Sequence, residues 1–178
     1  ASLVGKGFIQ IDGKEAAPFL QTILTANIDK IAAGYCAPAA LLTPQGRILH
    51  DMIIYRCPTG AEAGSDFIIE ADASGLTDLF TRLRRYRLRR SVGLQVVEDM
   101  TIWLCWGAPI DIKGVYSDPR HQSLGCRWLG HCDAAPPFTA IATRGEITQW
   151  QALRIAAGVP EGPLDLTPER ALMLEAGL

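Results

Sequence analysis

The sequence lacks long hydrophobic runs, paired cysteines and any charge bias, and each absence removes a class of function. The longest apolar runs, such as Ala37 to Leu42, fall far short of the ~20 residues that a bilayer-spanning helix requires. No membrane partner is expected. Lys and Arg number 17 against 19 Asp and Glu, a net charge of -2. That balance gives no global pull toward nucleic acid, so a nucleic-acid partner is disfavoured and any basic surface must be local. The opening Ala1-Ser2-Leu3-Val4 has no basic region leading into an apolar core, so no secretory signal is expected; a cleaved mitochondrial presequence would leave no trace. The five cysteines, Cys36, Cys57, Cys105, Cys126 and Cys132, are odd in number and form no CxxC pair. They argue against a disulfide framework and a zinc knuckle, and read as thiols of a reducing compartment. The nearest cluster, Cys126, His131 and Cys132, lacks the four tightly spaced ligands of a zinc site, so no metal is expected there. Gly5-Lys6-Gly7 has the spacing of neither a P-loop nor a dinucleotide fingerprint, and no GxSxG or HExxH occurs. Nucleotide hydrolysis, Rossmann hydride transfer and zinc proteolysis are disfavoured.

What is present is 178 residues, 48% hydrophobic and 20% charged, enough to bury a substantial core. The expectation is one unit over 1–178 with two interleaved lobes, divided near 35 and 100. Gly7 to Gly13 alternates like a short strand ending in a turn. From Ala16 to Ile28, Phe19, Leu20, Ile23 and Leu24 mark one buried helix face, with Pro18 in the first turn. Ala39–Leu42 and Arg47–Tyr55, joined by Thr43-Pro44-Gln45-Gly46, form the clearest hairpin, with Pro and Gly at favoured turn positions. Asp66–Glu70, Val92–Val97 and Thr101–Trp106 have strand character, and a helix is predicted from about Ser74 to Arg90. After Trp106, glycines and prolines break the chain into pieces in which loops dominate, until a helix over Glu146–Ala157 that Gly158 and Pro160 end. This order predicts an α+β fold, a mostly antiparallel sheet with helices on one face.

Six arginines crowd Arg82 to Arg90 (82, 84, 85, 87, 89 and 90). Helical spacing predicts Arg82, Arg85 and Arg89 on an exposed face with Leu79, Leu83 and Tyr86 turned inward, a solvated face rather than a phosphate site. Read singly, Asp51 is a strand-end carboxylate that caps a turn or meets a ligand. Arg154 pairs with Glu161 or Glu146, or binds carboxylates bidentately. Tyr55, Leu42 and Trp150 read as core or as packing for a ring. Arg120 and Arg127 line a pocket mouth or tie loops together.

Ordered fragments along nearly the whole chain resemble the YgfZ family: Phe19-Leu20-Gln21 with Leu24-Thr25-Ala26-Asn27; Leu41 to Arg47 with His50-Asp51; Leu83 with Tyr86 and Leu88; Asp118-Pro119-Arg120 with Gly125 and Arg127; and Arg154-Ile155 with Gly158-Val159-Pro160-Glu161-Gly162. That family is related to the glycine-cleavage aminomethyltransferase (T-protein). The resemblance implies its fold, a tetrahydrofolate or one-carbon-derivative cofactor, and a role in iron-sulfur cluster assembly or repair and possible tRNA modification, with assembly proteins or client enzymes as partners. It implies Asp51 as the counterpart of the transferase's essential aspartate, a candidate catalytic residue, and Asp51, Arg154, Tyr55, Leu42, Trp150 and Arg127 around the folate. It implies a bacterial cytoplasm or, in a eukaryote, the mitochondrial matrix. In the family a segment like Leu172–Leu178 leads into a Lys-Gly-Cys-Tyr-x-Gly-Gln-Glu signature and a C-terminal β-barrel. The sequence stops at Leu178, before either, so no barrel is expected here and no cysteine here takes the signature's role. Ala156 stands where the transferase carries Glu. This favours binding over a true aminomethyl or one-carbon transferase, which remains an alternative beside a scaffold with an empty inherited pocket.

Overall fold

In a computed structural model, the structure describes residues 1–58, 66–108 and 110–176. Two antiparallel sheets are stacked; the larger takes five consecutive strands of the chain, and the smaller takes the strand before them and the three after. The larger has the order β3-β4-β5-β2-β6, from β2 (Lys6–Asp12), β3 (Cys36–Leu42), β4 (Ile48–Arg56), β5 (Phe67–Asp72) and β6 (Gly93–Val97). The smaller has the order β1-β7-β9-β8, from β1 (Ser2–Leu3), β7 (Met100–Cys105), β8 (Val115–Ser117) and β9 (Cys126–His131). The first strand thus belongs to the sheet built by the last, and the chain crosses into the other sheet within three residues.

Two helices, α1 (Ala16–Ile23) and α2 (Leu76–Arg87), cover one face of the larger sheet. Period-two alternation sends Ile9 and Ile11 of β2, Met52 and Ile54 of β4, and Phe67, Ile69 and Ala71 of β5 toward them. There they meet Phe19 and Leu20 of α1 and Leu79 and Leu83 of α2, all fully buried, each worth about 1.5–3 kcal/mol in transfer free energy. The residues between face the other way: Phe8, Ile53, Tyr55, Ile68 and Glu70 look onto the smaller sheet. The third helix, α3 (Ile147–Ala156), begins in a reciprocal capping box between Glu146 and Gln149. It packs Trp150 and Leu153 against Ile102, Leu104 and Leu124 of the smaller lobe.

The hairpin of β3 and β4 turns at Thr43–Arg47 with Gly46 at a positive φ of 78°, as its turn residues predict. α2 is shorter than the predicted 74–90, because Leu88 adopts φ 51° and ends it. Tyr86, in the last turn of α2, shares the face of Leu79 and Leu83 but is 43% exposed rather than turned inward, because the buried line of the helix ends at Leu83. Loops do not dominate the whole stretch after Trp106 either. β9 runs as an inner strand between β7 and β8, with Cys126 and Arg127 buried at its start. No helix among the described residues is long and apolar enough to cross a membrane.

Candidate functional site

Between the sheets lies a closed polar network centred on Arg127 of β9, whose side chain alternation aims at the larger sheet. Its guanidinium donates through Nη2 to Glu70 Oε1 at 2.5 Å, through Nη1 to Asp118 Oδ2 at 2.7 Å and through Nε to the Tyr55 hydroxyl at 2.8 Å. Tyr55 in turn donates to Glu70 Oε2 at 2.6 Å. All four side chains are buried. Burial drives the Tyr55 hydroxyl well above its usual pKa, despite Arg127, so it stays a neutral donor. Asp118 carries a second arginine: Arg120 reaches its two oxygens at 3.0 and 2.8 Å and sits 5.6 Å over the Trp150 ring, a cation–π contact. Trp150, wholly buried, donates its indole N–H to the Leu124 carbonyl at 3.2 Å. Two arginines thus face two carboxylates, and each buried charge has a partner.

Burial would raise the Asp118 carboxyl, but hydrogen bonds and charge from Arg120 and Arg127 hold it below the ordinary carboxylate range. A carboxylate depressed in the folded state contributes stability that is present above its unfolded pKa of about 3.9 and lost as pH falls through the folded value. Urea midpoints should therefore decline as pH drops below about 4, and Asp118→Asn should flatten that decline; an unchanged slope would remove Asp118 from the account.

A second set is assembled by the loop after α3. Arg154 donates from Nη1 to the Val159 carbonyl and to Asp165 Oδ2, both at 2.6 Å, and from Nε to Gln151 at 2.8 Å, with Glu161 Oε2 at 3.4 Å. Glu161 also takes an ion pair from Lys6 Nζ at 2.7 Å, which ties the loop to β2. Burial works against the Glu161 charge, yet Lys6, Arg120 and Arg154 keep its carboxyl below its usual range. So held, the loop presents the Gly162 N–H to Asp51 Oδ2 at 3.1 Å. A Cβ on Gly162 would overlap Asp51 Oδ1; only glycine lets the backbone come this close. Asp51 lines a cavity of about 220 Å³ with His50, Asp72, Asp78, Arg82 and Glu169, in which Asp78 accepts from His50 Nε2 at 2.7 Å and Arg82 Nε at 2.6 Å.

Of the residues singled out in sequence, Tyr55 and Arg127 touch directly, Asp51 and Arg154 are joined through the 159–165 loop, and Trp150 reaches the network through Arg120. Leu42 packs elsewhere, on a small cluster of Ala40, Ile48 and Leu166. Glu70 and Lys6 were missed. Glu70 had a signal: it is the single charge among the apolar residues Phe67 to Ala71. The arginine run is partly spent within the chain. Arg82 pairs with Asp78, Arg87 donates to the Val92 carbonyl, and Arg84 and Arg90 lie over Phe80 and Phe19. His131 pairs with Asp99 at the surface at 3.2 Å, and among the described residues no three His, Cys, Asp or Glu side chains converge to hold a metal.

No family model matches the chain. Among curated proteins, an iron-sulfur cluster assembly factor IBA57 homolog of Pyricularia oryzae is 32% identical over 99% of this chain. The human IBA57 factor is likewise 32% identical over 99%, and the mouse factor 30% over 99%. Over its whole length, this chain is similar to the IBA57 iron-sulfur cluster assembly factors. It spans about half the length of these relatives, 47% of the fungal and 55% of the mammalian proteins, all named as mitochondrial. Among solved structures, the glycine cleavage system aminomethyltransferase T of Bartonella henselae superposes with a TM-score of 0.50 at 21% identity, over 57% of this chain and 26% of that one. The fold is aminomethyltransferase-like, a mixed α+β arrangement of antiparallel sheets, with no closed barrel among the described residues.

Proposed function

We propose that this chain is the folate-binding-type unit of an iron-sulfur cluster assembly factor, acting in mitochondria with assembly proteins or their clients. The observation that carries this reading is end-to-end similarity to IBA57 factors on an aminomethyltransferase-like fold. The mitochondrial names of the relatives favour that compartment over a bacterial cytoplasm. The finer identity is a YgfZ-type member whose cofactor is tetrahydrofolate or a one-carbon derivative. Domain organisation follows: residues 1–178 act as one unit with interleaved lobes, joined by the Arg127 network.

Asp51 is the residue assigned to meet the pterin. A 2-amino-4-oxo pterin offers two adjacent N–H donors, and a carboxylate accepts both. Asp51 Oδ2 already accepts Gly162 N–H, while Oδ1 has no donor among the described residues. Arg154 positions the loop that fixes Asp51, and Arg127 with Tyr55 and Trp150 sets the spacing of the two lobes behind it. Leu42 belongs to the apolar wall under the 166–176 segment. The cavity at Asp51, about 220 Å³, is smaller than the ~300–1000 Å³ of sites that enclose a whole small ligand, so it takes the ring and leaves the glutamyl tail outside. Binding without turnover is the reading that Ala156 favours over one-carbon transfer.

Calorimetric titration of the chain with tetrahydrofolate and its 5-formyl derivative tests this. Asp51→Asn should weaken binding about tenfold or more, since a hydrogen bond to a charged group is worth about 1.5–3 kcal/mol. A folded chain, verified by circular dichroism, that binds neither folate would overturn the folate assignment.

A further inference from the structure

Cys105 and Cys126 stand directly opposite one another in the antiparallel pairing of β7 with β9. Their neighbours settle which face they share. Ile102 and Leu104 of β7 are buried against Phe8 and Trp150, and Arg127 is buried against Glu70, so one residue along, Cys105 and Cys126 both project from the opposite face of the sheet. Opposed residues on neighbouring strands have Cβ atoms about 4.5–5.5 Å apart, and a disulfide needs about 3.5–4.5 Å. The two backbones meet closely at this end of the pair. Gly125, just before Cys126, has φ 72°, and a Cβ on it would overlap the Cys105 carbonyl and lie 2.7 Å from the Trp106 Cα. Burial, with Cys105 alongside, pushes the Cys126 thiol up to about 11.

Access is uneven. Cys105 borders a cavity of about 790 Å³ that also touches Trp103, Phe138 and Gln149, and Cys126, 4% exposed, borders another of about 1010 Å³ with Trp106 and His121. The first is within the size range of small-molecule sites, ~300–1000 Å³. Cys105 is the more exposed of the two, so its sulfur is the one that meets a small disulfide first.

The geometry assigns Cys105 and Cys126 as a reversible dithiol–disulfide couple that exchanges with a low-molecular-weight disulfide of the glutathione class. In the first step the Cys105 thiolate attacks one sulfur of glutathione disulfide. An S–S bond forms to Cys105, the glutathione S–S bond breaks, and one glutathione leaves as thiolate and takes up the proton that Cys105 lost. In the second, Cys126 loses its proton and attacks the Cys105 sulfur of the mixed disulfide, releasing the second glutathione. Two protein thiols are oxidised and one glutathione disulfide is reduced to two glutathiones, with no other reactant. The bond would staple the end of β7 to the start of β9, on the reverse of the strand that carries Arg127.

The test incubates the full chain in a series of glutathione disulfide and glutathione mixtures, followed by acid quenching, alkylation and peptide mapping by mass spectrometry. Expected is the loss of two of the five thiols, recovered as one cross-linked pair containing Cys105 and Cys126 and restored by excess glutathione. Cys126→Ser should accumulate a stable glutathione adduct on Cys105, and Cys105→Ser should form no bridge. A native wild-type chain that retains both thiols overturns the assignment without recourse to any variant. So does one that stops at the mixed disulfide, or one that pairs either residue with Cys132 instead.

Discussion

Replacing Arg127 with alanine will destabilise the fold by about 3–5 kcal/mol, the usual consequence of removing one member of a buried ion pair. Three groups lose their donor at once: Glu70 at 2.5 Å, Asp118 at 2.7 Å and the Tyr55 hydroxyl at 2.8 Å. Glu70 is left with a single phenolic hydrogen bond in a site that is 3% exposed, while Asp118 keeps Arg120. A protein of this kind has about 5–15 kcal/mol in total, so the variant will be marginal at room temperature. Urea denaturation followed by near-ultraviolet circular dichroism measures the loss; a shift below about 1 kcal/mol would show that water reaches Glu70 and that the network is not closed. Adding Glu70→Gln to Arg127→Ala should recover part of the deficit, because the stranded charge, rather than the missing contact, is the larger penalty.

Gly125→Ala should be comparably severe, for a reason that lies in the backbone alone. The position has φ 72°, where a residue with a Cβ is strained by about 1–3 kcal/mol, and the added methyl would meet the Cys105 carbonyl and the Trp106 Cα, neither of which can rotate away. The expected loss exceeds about 2 kcal/mol, read from the same denaturation curves. Gly114→Ala provides the control. It shares a positive φ of 83° but has open space at its Cβ, so it should lose only the conformational part. Equal losses at the two positions would mean that β7 and β9 are not pressed together as described.

The sequence made the helix-covered side of the larger sheet readable and left the side facing the second sheet obscure. Phe19, Leu20, Ile23 and Leu24 repeat at helical spacing, and the Thr43–Gly46 turn is written in residue types that only a few backbone conformations favour, so α1 and the β3–β4 hairpin could be placed without tertiary information. The inner face could not. Glu70 stands out as a lone charge in an apolar strand, but Arg127 lies on another strand 57 residues on, and only the stacking of the second sheet brings the two together. The same limit applied to β9, where Gly125 and Gly130 read as chain breaks. Gly125 is in fact the means by which two strands approach. Asp51 was found because a motif resembled one seen in a family, whereas its partner Gly162 and the ties that hold it, Lys6 to Glu161 and Arg154 to Asp165, depend on loop geometry that no periodicity encodes.

The distance along the chain between partners also has a bearing on how the protein is made. Glu70 and Tyr55 are synthesised well before Arg127, and Asp51 well before Gly162. On the ribosome, the larger sheet would therefore emerge with a carboxylate and a phenol on its uncovered face, and no cation to receive them until the smaller sheet follows. Pulse proteolysis of nascent chains arrested just short of residue 127 and well past residue 162 would time the event: the first should be cut within β4 and β5, the second protected. Until Arg127 leaves the exit tunnel, Glu70 and Tyr55 have no guanidinium to meet.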